Sequence, residues 1–254
     1  IATNVVGTVK RNQIWNNDYT LWKDAVKKNQ RSPVARVNLG TAYMERGHIE
    51  EAEDQFTEAI RLKPDDLEAH SNLGYIYVEK GFIDEAIREL NIALKISPAH
   101  PITRRNLGLA YKKKGKINDA VKEFKMALLF KPDYLEVRND LAASYIEQGL
   151  LSKALKEYKD IIRINPNISQ VYNSLGNIYL IQKKFIQAIK EYEKALKLNR
   201  NNAEAYYNLA IAYEKTYSAQ AAAQNYRTFI EMAPMEYSET VEVAKKRLKE
   251  LSSD

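Results

Sequence analysis

The sequence contains no cysteine, only three histidines and no long apolar run. Without cysteine, disulfide bonds, thiolate metal sites and cysteine nucleophiles are excluded. A membrane-spanning helix needs about 20 consecutive, mostly apolar residues, and these 254 residues contain no such run. The histidines do not share a pattern, and neither G-x-G-x-x-G nor G-x-x-x-x-G-K occurs. We therefore expect no catalytic residues, no metal site and no cofactor in this chain.

Glycine and proline are scarce, and their positions are periodic. Residues 37–43 read VNLGTAY, and close variants recur at 34-residue steps as SNLGYIY, RNLGLAY and, further on, NLAIAY. With Pro33 as position 1, all seven prolines fall at position 32 or 1, and eight of nine glycines fall at position 8 or 15. Proline marks helix boundaries, and glycine closes a helix by accepting a left-handed backbone. Each repeat is therefore predicted to contain a helix A, a turn at position 15, a helix B and a second turn.

Six repeats fit this register, at residues 33–66, 67–100, 101–134, 135–168, 169–202 and 203–236. Position 7 is always leucine, position 11 always tyrosine and position 20 always alanine. Small residues at positions 8 and 20 predict close contact between helices A and B, beside a large side chain at position 24. One helical pair cannot bury this face alone, so the repeats should stack. Side chains at position 18 (Asp84, Asn118 and Ser152) are expected to cap helix B.

The combination of L-G-x-x-Y, glycine at 15, alanine at 20 and 27, an aromatic at 24 and proline at 32 resembles the tetratricopeptide-repeat family. The resemblance implies an all-α fold, a right-handed superhelical solenoid of antiparallel helix pairs, and a non-catalytic role in protein–protein interaction. Lys183 and Tyr217 replace the turn glycine and Arg200 replaces the proline, which predicts that the last two inter-helix turns are less regular. Ile161 and Phe229 replace the alanine at position 27 and would either separate their helices or fill a gap.

Both ends depart from the repeat. Residues 1–32 are interpreted as a degenerate helix pair, with its helix B at 18–29, or as a membrane-proximal junction. Residues 237–254 are predicted to form a capping helix with one apolar stripe: Val241, Ala244, Leu248 and Leu251.

The exposed face of helix A lines a concave groove in this family. Position 6 carries asparagine in four of the six repeats. This column resembles the asparagine ladder of the O-GlcNAc transferase repeats, where amides hold the backbone of an extended polypeptide, since an amide both donates and accepts hydrogen bonds. The alternative is that these amides only cap or solvate their own helices. The predicted peptide-binding residues are Asn38, Asn72, Tyr75, Arg105, Asn106, Lys112, Lys113, Asn139, Asn173, Asn177, Tyr207 and Asn208.

Charge is unevenly distributed among the repeats. Residues 101–134 carry nine Lys and Arg against three Asp and Glu, after two repeats with net negative charge. Arg105, Lys112 and Lys113 occupy groove positions, so this basic repeat is predicted to attract a partly acidic peptide segment. The alternative is an ordinary solvated surface. Nucleic acid is not expected as a partner, because acidic repeats interrupt the basic track that it requires.

Two further possibilities concern the N-terminal region. Apolar surface near Trp15 and Trp22 suggests self-assembly through the repeat ends, so an oligomer is possible. Residues 8–40, with R-N-x-x-W, T-L-W and S-P-x-A-R, resemble the junction between membrane helix and extracytoplasmic repeats in bacterial polytopic membrane proteins related to the O-mannosyltransferase families. That resemblance implies an accessory recognition domain, a membrane tether upstream of residue 1 and an extracytoplasmic location; otherwise we expect a cytoplasmic one.

The first residues of the chain have two interpretations. Ile1, Val5, Val6 and Val9 could continue an apolar helix that Lys10 and Arg11 end at the head-group level. Alternatively, the same residues form helix A of the degenerate pair.

Overall fold

The computed structural model describes residues 18–251, and this part of the chain contains helices and turns but no strand. The predicted all-α fold is therefore confirmed. The expectations for Ile1, Val5, Val6, Val9, Lys10, Arg11 and Trp15 lie outside the described residues. The α-helices are α1 (Asp18–Lys28), α2 (Pro33–Met44), α3 (Ile49–Leu62), α4 (Leu67–Lys80), α5 (Ile83–Ile96), α6 (Pro101–Lys113), α7 (Ile117–Phe130), α8 (Leu135–Glu147), α9 (Leu151–Ile164), α10 (Ser169–Ile181), α11 (Phe185–Leu198), α12 (Ala203–Glu214), α13 (Ala219–Met232) and α14 (Ser238–Leu251), with a short 3-10 helix at Met235–Tyr237.

The described residues form two compact units, divided within α8 between Asp140 and Leu141. In the first unit, α2 packs against α3, α4 against α5 and α6 against α7, while α4 contacts both α2 and α6. In the second unit, α10 packs against α11 and α12 against α13, while α10 also contacts α12. The even-numbered helices from α2 to α12 are the A helices of the repeats. Within each unit, neighbouring A helices therefore contact one another.

The turn between helices A and B has the same geometry in every repeat. The backbone N–H of position 16 donates to the carbonyl of the tyrosine at position 11, at 2.8–3.0 Å in all six repeats. Position 15 has positive φ throughout, including Lys183 and Tyr217, both at 58°. The prediction of less regular turns at these two residues is wrong, because the hydrogen bond to the tyrosine carbonyl closes the same turn whichever residue occupies position 15.

A left-handed backbone is strained at Lys183 and Tyr217, since a Cβ atom crowds the carbonyl there. Replacing either residue by glycine should raise the free energy of unfolding by about 1 kcal/mol. Gly81→Ala, at the same position with φ 84°, is the opposing control and should destabilise. Guanidinium unfolding midpoints measure both effects. Equal destabilisation by Lys183→Gly and Gly81→Ala would show that backbone strain at this position is unimportant.

Helix B begins two residues earlier than a cap at position 18 requires. In the second, third and fourth repeats, the N-cap residues are Phe82, Lys116 and Leu150, and none has a side-chain cap. The predicted caps are therefore wrong. Asp84 instead pairs with Lys114 of the next repeat at 2.5 Å. A residue expected to stabilise its own helix thus connects two repeats.

Contact between helices A and B depends on the small residue at position 8. A Cβ atom placed on Gly108 would lie 2.5 Å from Phe124 Cε1, and one on Gly176 would lie 2.4 Å from Tyr192 Cε1. The large side chain at position 24 therefore lies directly on the glycine. At position 27, Ile161 and Phe229 are 1% and 0% exposed, so they fill gaps rather than remain on the surface.

The side chain at position 4 connects each of the first four repeats to the preceding turn. Arg36 Nε, Arg104 Nε and Arg138 Nε donate to the position-32 carbonyl at 3.0–3.1 Å, and His70 Nε2 lies 2.9 Å from it. Arg104 also pairs with Glu123 at 2.5 Å, and His70 Nδ1 lies 2.6 Å from Glu89 Oε2. The fifth and sixth repeats carry tyrosine here instead, Tyr172 and Tyr206. The second unit therefore lacks this basic contact in both of those repeats.

The last helix, α14, packs against the sixth repeat. Ala244 of α14 is fully buried, and Val241 and Leu251 pack against the same cluster around Tyr226 and Phe229. Arg247 makes two bonds to Glu214, at 3.1 Å and 2.5 Å. The apolar stripe thus faces the solenoid, and an ion pair fixes its position.

Candidate peptide-binding groove

In the first unit, the adjacent A helices α2, α4 and α6 place the predicted asparagine column along one face. Asn38 Nδ2 donates to Val34 O of its own helix at 2.8 Å. Asn72 is half-buried, and Asn106 is 5% exposed. Within residues 18–251, neither of these two side chains has a hydrogen-bond partner. Two of the three amides are therefore left with unused donors and acceptors.

Two of the basic groove residues form ion pairs with acidic residues of neighbouring repeats. Arg105 Nε donates to Asp140 Oδ2 at 2.7 Å, and Lys113 Nζ donates to Val78 O at 2.9 Å and to Glu79 Oε1 at 3.3 Å. Both pairs join neighbouring repeats, and the two cationic side chains remain 28% and 45% exposed. The charges therefore sit at fixed positions on the groove face, partly balanced. Lys112 and Tyr75 are half-buried on the same face.

In the second unit, the groove asparagines form a network. Asn177 Oδ1 accepts from Tyr192 Oη at 2.7 Å and from Asn208 Nδ2 at 3.0 Å. Asn177 Nδ2 donates to Glu204 Oε1 at 3.2 Å. Burial raises the pKa of Tyr192 well above its ordinary value, with a contribution from Glu204, so the hydroxyl stays a donor. Asn177 and Asn208 are thus held in place by one another and by a carboxylate.

Glu204 was missed by the sequence prediction. It occupies position 2, four residues before Asn208, and therefore shares its face of α12. The four-residue spacing between Glu204 and Asn208 was the sequence feature that could have placed Glu204 on the groove face. It was overlooked because position 2 varies among valine, isoleucine, glutamine and glutamate.

Three predicted groove residues have different surroundings. Asn139 is exposed. Tyr207 packs against Tyr226 and Phe229, with ring centroids 5.9 and 5.0 Å away, so it belongs to an aromatic cluster. Asn173 is 0% exposed, and neither polar atom of its amide has a partner among the described residues. The expectation that Asn173 lies on the groove surface is therefore incorrect, because packing around position 5 encloses it.

Residues 18–251 contain no cluster of three acidic or histidine side chains that could hold a metal ion. None of their helices has both the length and the apolar character to cross a bilayer. Trp22, proposed as part of an apolar end surface, is half-buried in α1. The A-helix face thus remains the candidate site.

Comparison with protein-family models identifies the repeat. A model described as TPR repeat matches residues 40–81, 74–115 and 176–216, and one described as tetratricopeptide repeat matches residues 111–178. Together they cover the chain from residue 40 to residue 216. The chain belongs to the tetratricopeptide-repeat family. The residues that these models match lie within the six repeats predicted at residues 33–236.

Among curated proteins, this tetratricopeptide-repeat chain is similar to the protein O-mannosyl-transferases Tmtc3 of Drosophila melanogaster and TMTC3 of Mus musculus. Identity is 36% and 34%, in each case over 70 residues. These residues are 28% of this chain and 8% of each relative. The chain therefore matches only a small part of these relatives. The match agrees with the resemblance to O-mannosyltransferase-related proteins noted from residues 8–40.

Solved structures with the same fold include the APC/C hetero-tetramer Cut9-Hcn1, with a TM-score of 0.73 and 18% identity over 93% of this chain and 46% of that chain. Pseudomonas aeruginosa pilF gives a TM-score of 0.71 and 18% identity over 82% of this chain and 96% of its own. YrrB, described as a TPR protein with an unusual peptide-binding site, gives a TM-score of 0.59 at 18% identity, over 72% of this chain and 95% of its own. These structures show the fold shared by the tetratricopeptide-repeat proteins.

Proposed function

We propose that this chain binds an extended, partly acidic segment of a partner protein on its A-helix face and performs no chemistry on it. The tetratricopeptide-repeat fold supports a protein-interaction scaffold in general terms. The finer proposal concerns the mode of binding. Asn72 and Asn106 would contact the ligand backbone, while Arg105, Lys112 and Lys113 would favour its carboxylates.

The observation that carries the proposal is the pair of unpaired amides on neighbouring repeats. Asn72 and Asn106 occupy the same position of α4 and α6, which contact each other. Asn106 is only 5% exposed, but its amide atoms are not among the enclosed polar atoms that lack a partner, so they remain accessible to water or to a ligand. An extended peptide offers N–H and C=O groups at regular spacing, so it can supply both bonding partners to each amide. Backbone recognition of this kind does not require a particular ligand sequence.

The ion pairs support a modest preference for acidic ligands. Arg105 and Lys113 are already paired, so an incoming carboxylate would have to share each cation. Exposed ion pairs contribute only ~0–1 kcal/mol each. Charge should therefore influence the association rate and the choice of partner more than affinity.

The similarity to O-mannosyl-transferases supports a second proposal, which concerns the larger protein assembly in which the chain acts. The chain would act as an accessory recognition domain for a membrane glycosyltransferase, presenting polypeptide to a catalytic part elsewhere. The similarity to Tmtc3 over 70 residues supports this setting. Co-purification of the chain with a membrane fraction that carries transferase activity would test it, and recovery only with soluble proteins would contradict it.

The groove is tested by an array of peptides, followed by two amide variants. Asn72→Ala with Asn106→Ala should raise the Kd of acidic and neutral binders alike by about thirtyfold, since each lost hydrogen bond is worth about 1 kcal/mol and every 1.4 kcal/mol is tenfold. Asn38→Ala is the matched control, because that amide is already bonded to its own helix. Fluorescence anisotropy measures the Kd. Binders with equal affinity for wild type and the double variant would overturn the groove assignment.

The contribution of charge requires a separate set of variants. Replacing Arg105, Lys112 and Lys113 by glutamine avoids placing like charges against Asp140 and Glu79. Association of acidic peptides should slow and lose its salt dependence, because screening acts over about 8 Å at physiological ionic strength. Neutral peptides should be unaffected. An unchanged association rate for acidic peptides would remove the acidic preference but leave backbone recognition standing.

A further inference from the structure

A second candidate surface lies in the second unit, away from the asparagine face. Two pockets flank the C-terminal end of α11 and share Lys197. The larger, of about 610 Å³, is lined by Glu193, Leu196, Lys197, Arg200 and Tyr206. The smaller, of about 200 Å³, is lined by Pro166, Tyr172, Lys194, Lys197 and Leu198. We refer to them together as the tyrosine pockets.

The tyrosine pockets coincide with a change in the repeat. In the first four repeats, position 4 holds an arginine or histidine that contacts the preceding turn. In the fifth and sixth repeats, that position holds Tyr172 and Tyr206, and each tyrosine lines one of the pockets. A tyrosine cannot reproduce the forked bonding of a guanidinium. Where the basic contact is lost, each of these repeats instead presents an aromatic ring in a surface recess.

Cations without ion-pair partners lie beside these rings. Within the described chain, neither Lys197 nor Arg200 makes a salt bridge, and both residues are exposed. Lys194, by contrast, pairs with Glu191 at 3.0 Å and lies 5.4 Å from the centroid of the Tyr172 ring. Residues 169–202 carry six Lys and Arg against two Asp and Glu. The positive charges of Lys197 and Arg200 are therefore not balanced by an ion pair within the described residues.

We propose that the tyrosine pockets bind a short acidic segment of a partner protein that also carries apolar side chains. Its carboxylates would meet Lys197 and Arg200, and its apolar side chains would lie on Tyr206, Leu196 and the 44% exposed Leu198. A peptide fits better than nucleic acid, because Glu193 interrupts the cations and would repel a continuous phosphate backbone. Glu193 itself accepts from Tyr213 Oη at 2.9 Å.

Arg200 offers a variant that should not disturb folding. It occupies position 32, where the other five repeats carry proline. The residue before it, Asn199, has φ −142° and ψ 100°, close to the φ −141° and ψ 91° of Lys63 before Pro64. Residues before proline adopt this extended conformation. Arg200→Pro therefore removes the cation and introduces the residue that this turn usually contains.

The experiment uses a fluorescein-labelled peptide of alternating glutamate and phenylalanine, with anisotropy as the measure. Lys197→Gln with Arg200→Pro should raise the Kd about tenfold, as expected when a site loses both of its attracting charges. Lys190→Gln, an exposed cation of α11 that lines neither pocket, should leave it within about twofold. All of these variants are made in the background of Asn72→Ala with Asn106→Ala, so that binding through the asparagine face is weakened and the remaining anisotropy change reports on the tyrosine pockets.

Five results would overturn the proposal. The double variant could bind as wild type, or Lys190→Gln could weaken binding equally, which would mean that charge acts without a defined site. A peptide with glutamine in place of glutamate could bind as tightly. A single-stranded oligonucleotide of equal charge could bind more tightly than the peptide. Finally, sedimentation could show a dimer that only the double variant abolishes, with no peptide binding, which would identify a second copy of the chain as the occupant.

Discussion

Replacing Gly108 by leucine should lower the free energy of unfolding by about 3 kcal/mol, at the upper end of overpacking effects. The cause is the close approach of α6 and α7, where a Cβ atom on Gly108 would lie 2.5 Å from Cε1 and 2.7 Å from Cδ1 of Phe124. Phe124 is fully buried and cannot turn into solvent. The helices must separate, and close packing around them is lost.

Guanidinium unfolding and hydrogen exchange in α6 and α7 measure this change, since stacked repeats need not unfold in one step. Gly108→Ala is the graded control and should cost less, because the fourth and sixth repeats carry Ala142 and Ala210 at this position. Adding Phe124→Ala to Gly108→Leu should recover part of the loss by supplying room. If Gly108→Leu leaves both the midpoint and the exchange unchanged, the helices are not as closely packed as described.

Replacing His70 by alanine should cost about 2 kcal/mol, because it removes an almost fully buried ring together with its polar contacts to Glu89 and to the Pro64 carbonyl. The ring is 4% exposed, and its nitrogens lie 2.6 Å from Glu89 Oε2 and 2.9 Å from Pro64 O. Breaking a fully buried charged contact can cost more. The Glu89 side chain is 23% exposed, so water can replace part of the contact and limit the loss.

His70→Arg is the matched variant and should stay close to wild type. Arg104, at the same position of the next repeat, makes the equivalent bonds to the Pro98 carbonyl and to Glu123. Unfolding midpoints of the three proteins compare the contact directly. If arginine destabilises as much as alanine, the packing of the imidazole ring and not its hydrogen bonding stabilises this turn.

The repeat register, the helices and the A–B packing were predictable from the sequence because their determinants are local. Proline restricts its own backbone and glycine tolerates positive φ, so a 34-residue recurrence of both marks every turn. Lys183 and Tyr217 show where that reasoning fails. Sequence preference alone predicts an irregular turn there, yet both residues adopt φ 58°. The bond from position 16 to the position-11 carbonyl outweighs a strain of about 1 kcal/mol.

The repeat sequence by itself determined the tetratricopeptide fold, and it predicts which face of helix A meets a ligand. Stacking of the repeats decided the hydrogen-bond partners and the burial of the groove residues, since it brings together residues about one repeat apart. Only the tertiary structure paired Arg105 with Asp140, connected Asn177 to Glu204 and enclosed Asn173. The same stacking left Asn72 and Asn106 without partners. Periodicity gives the position of a side chain on its helix, but hydrogen bonding and burial depend on which residue the neighbouring repeat places against it.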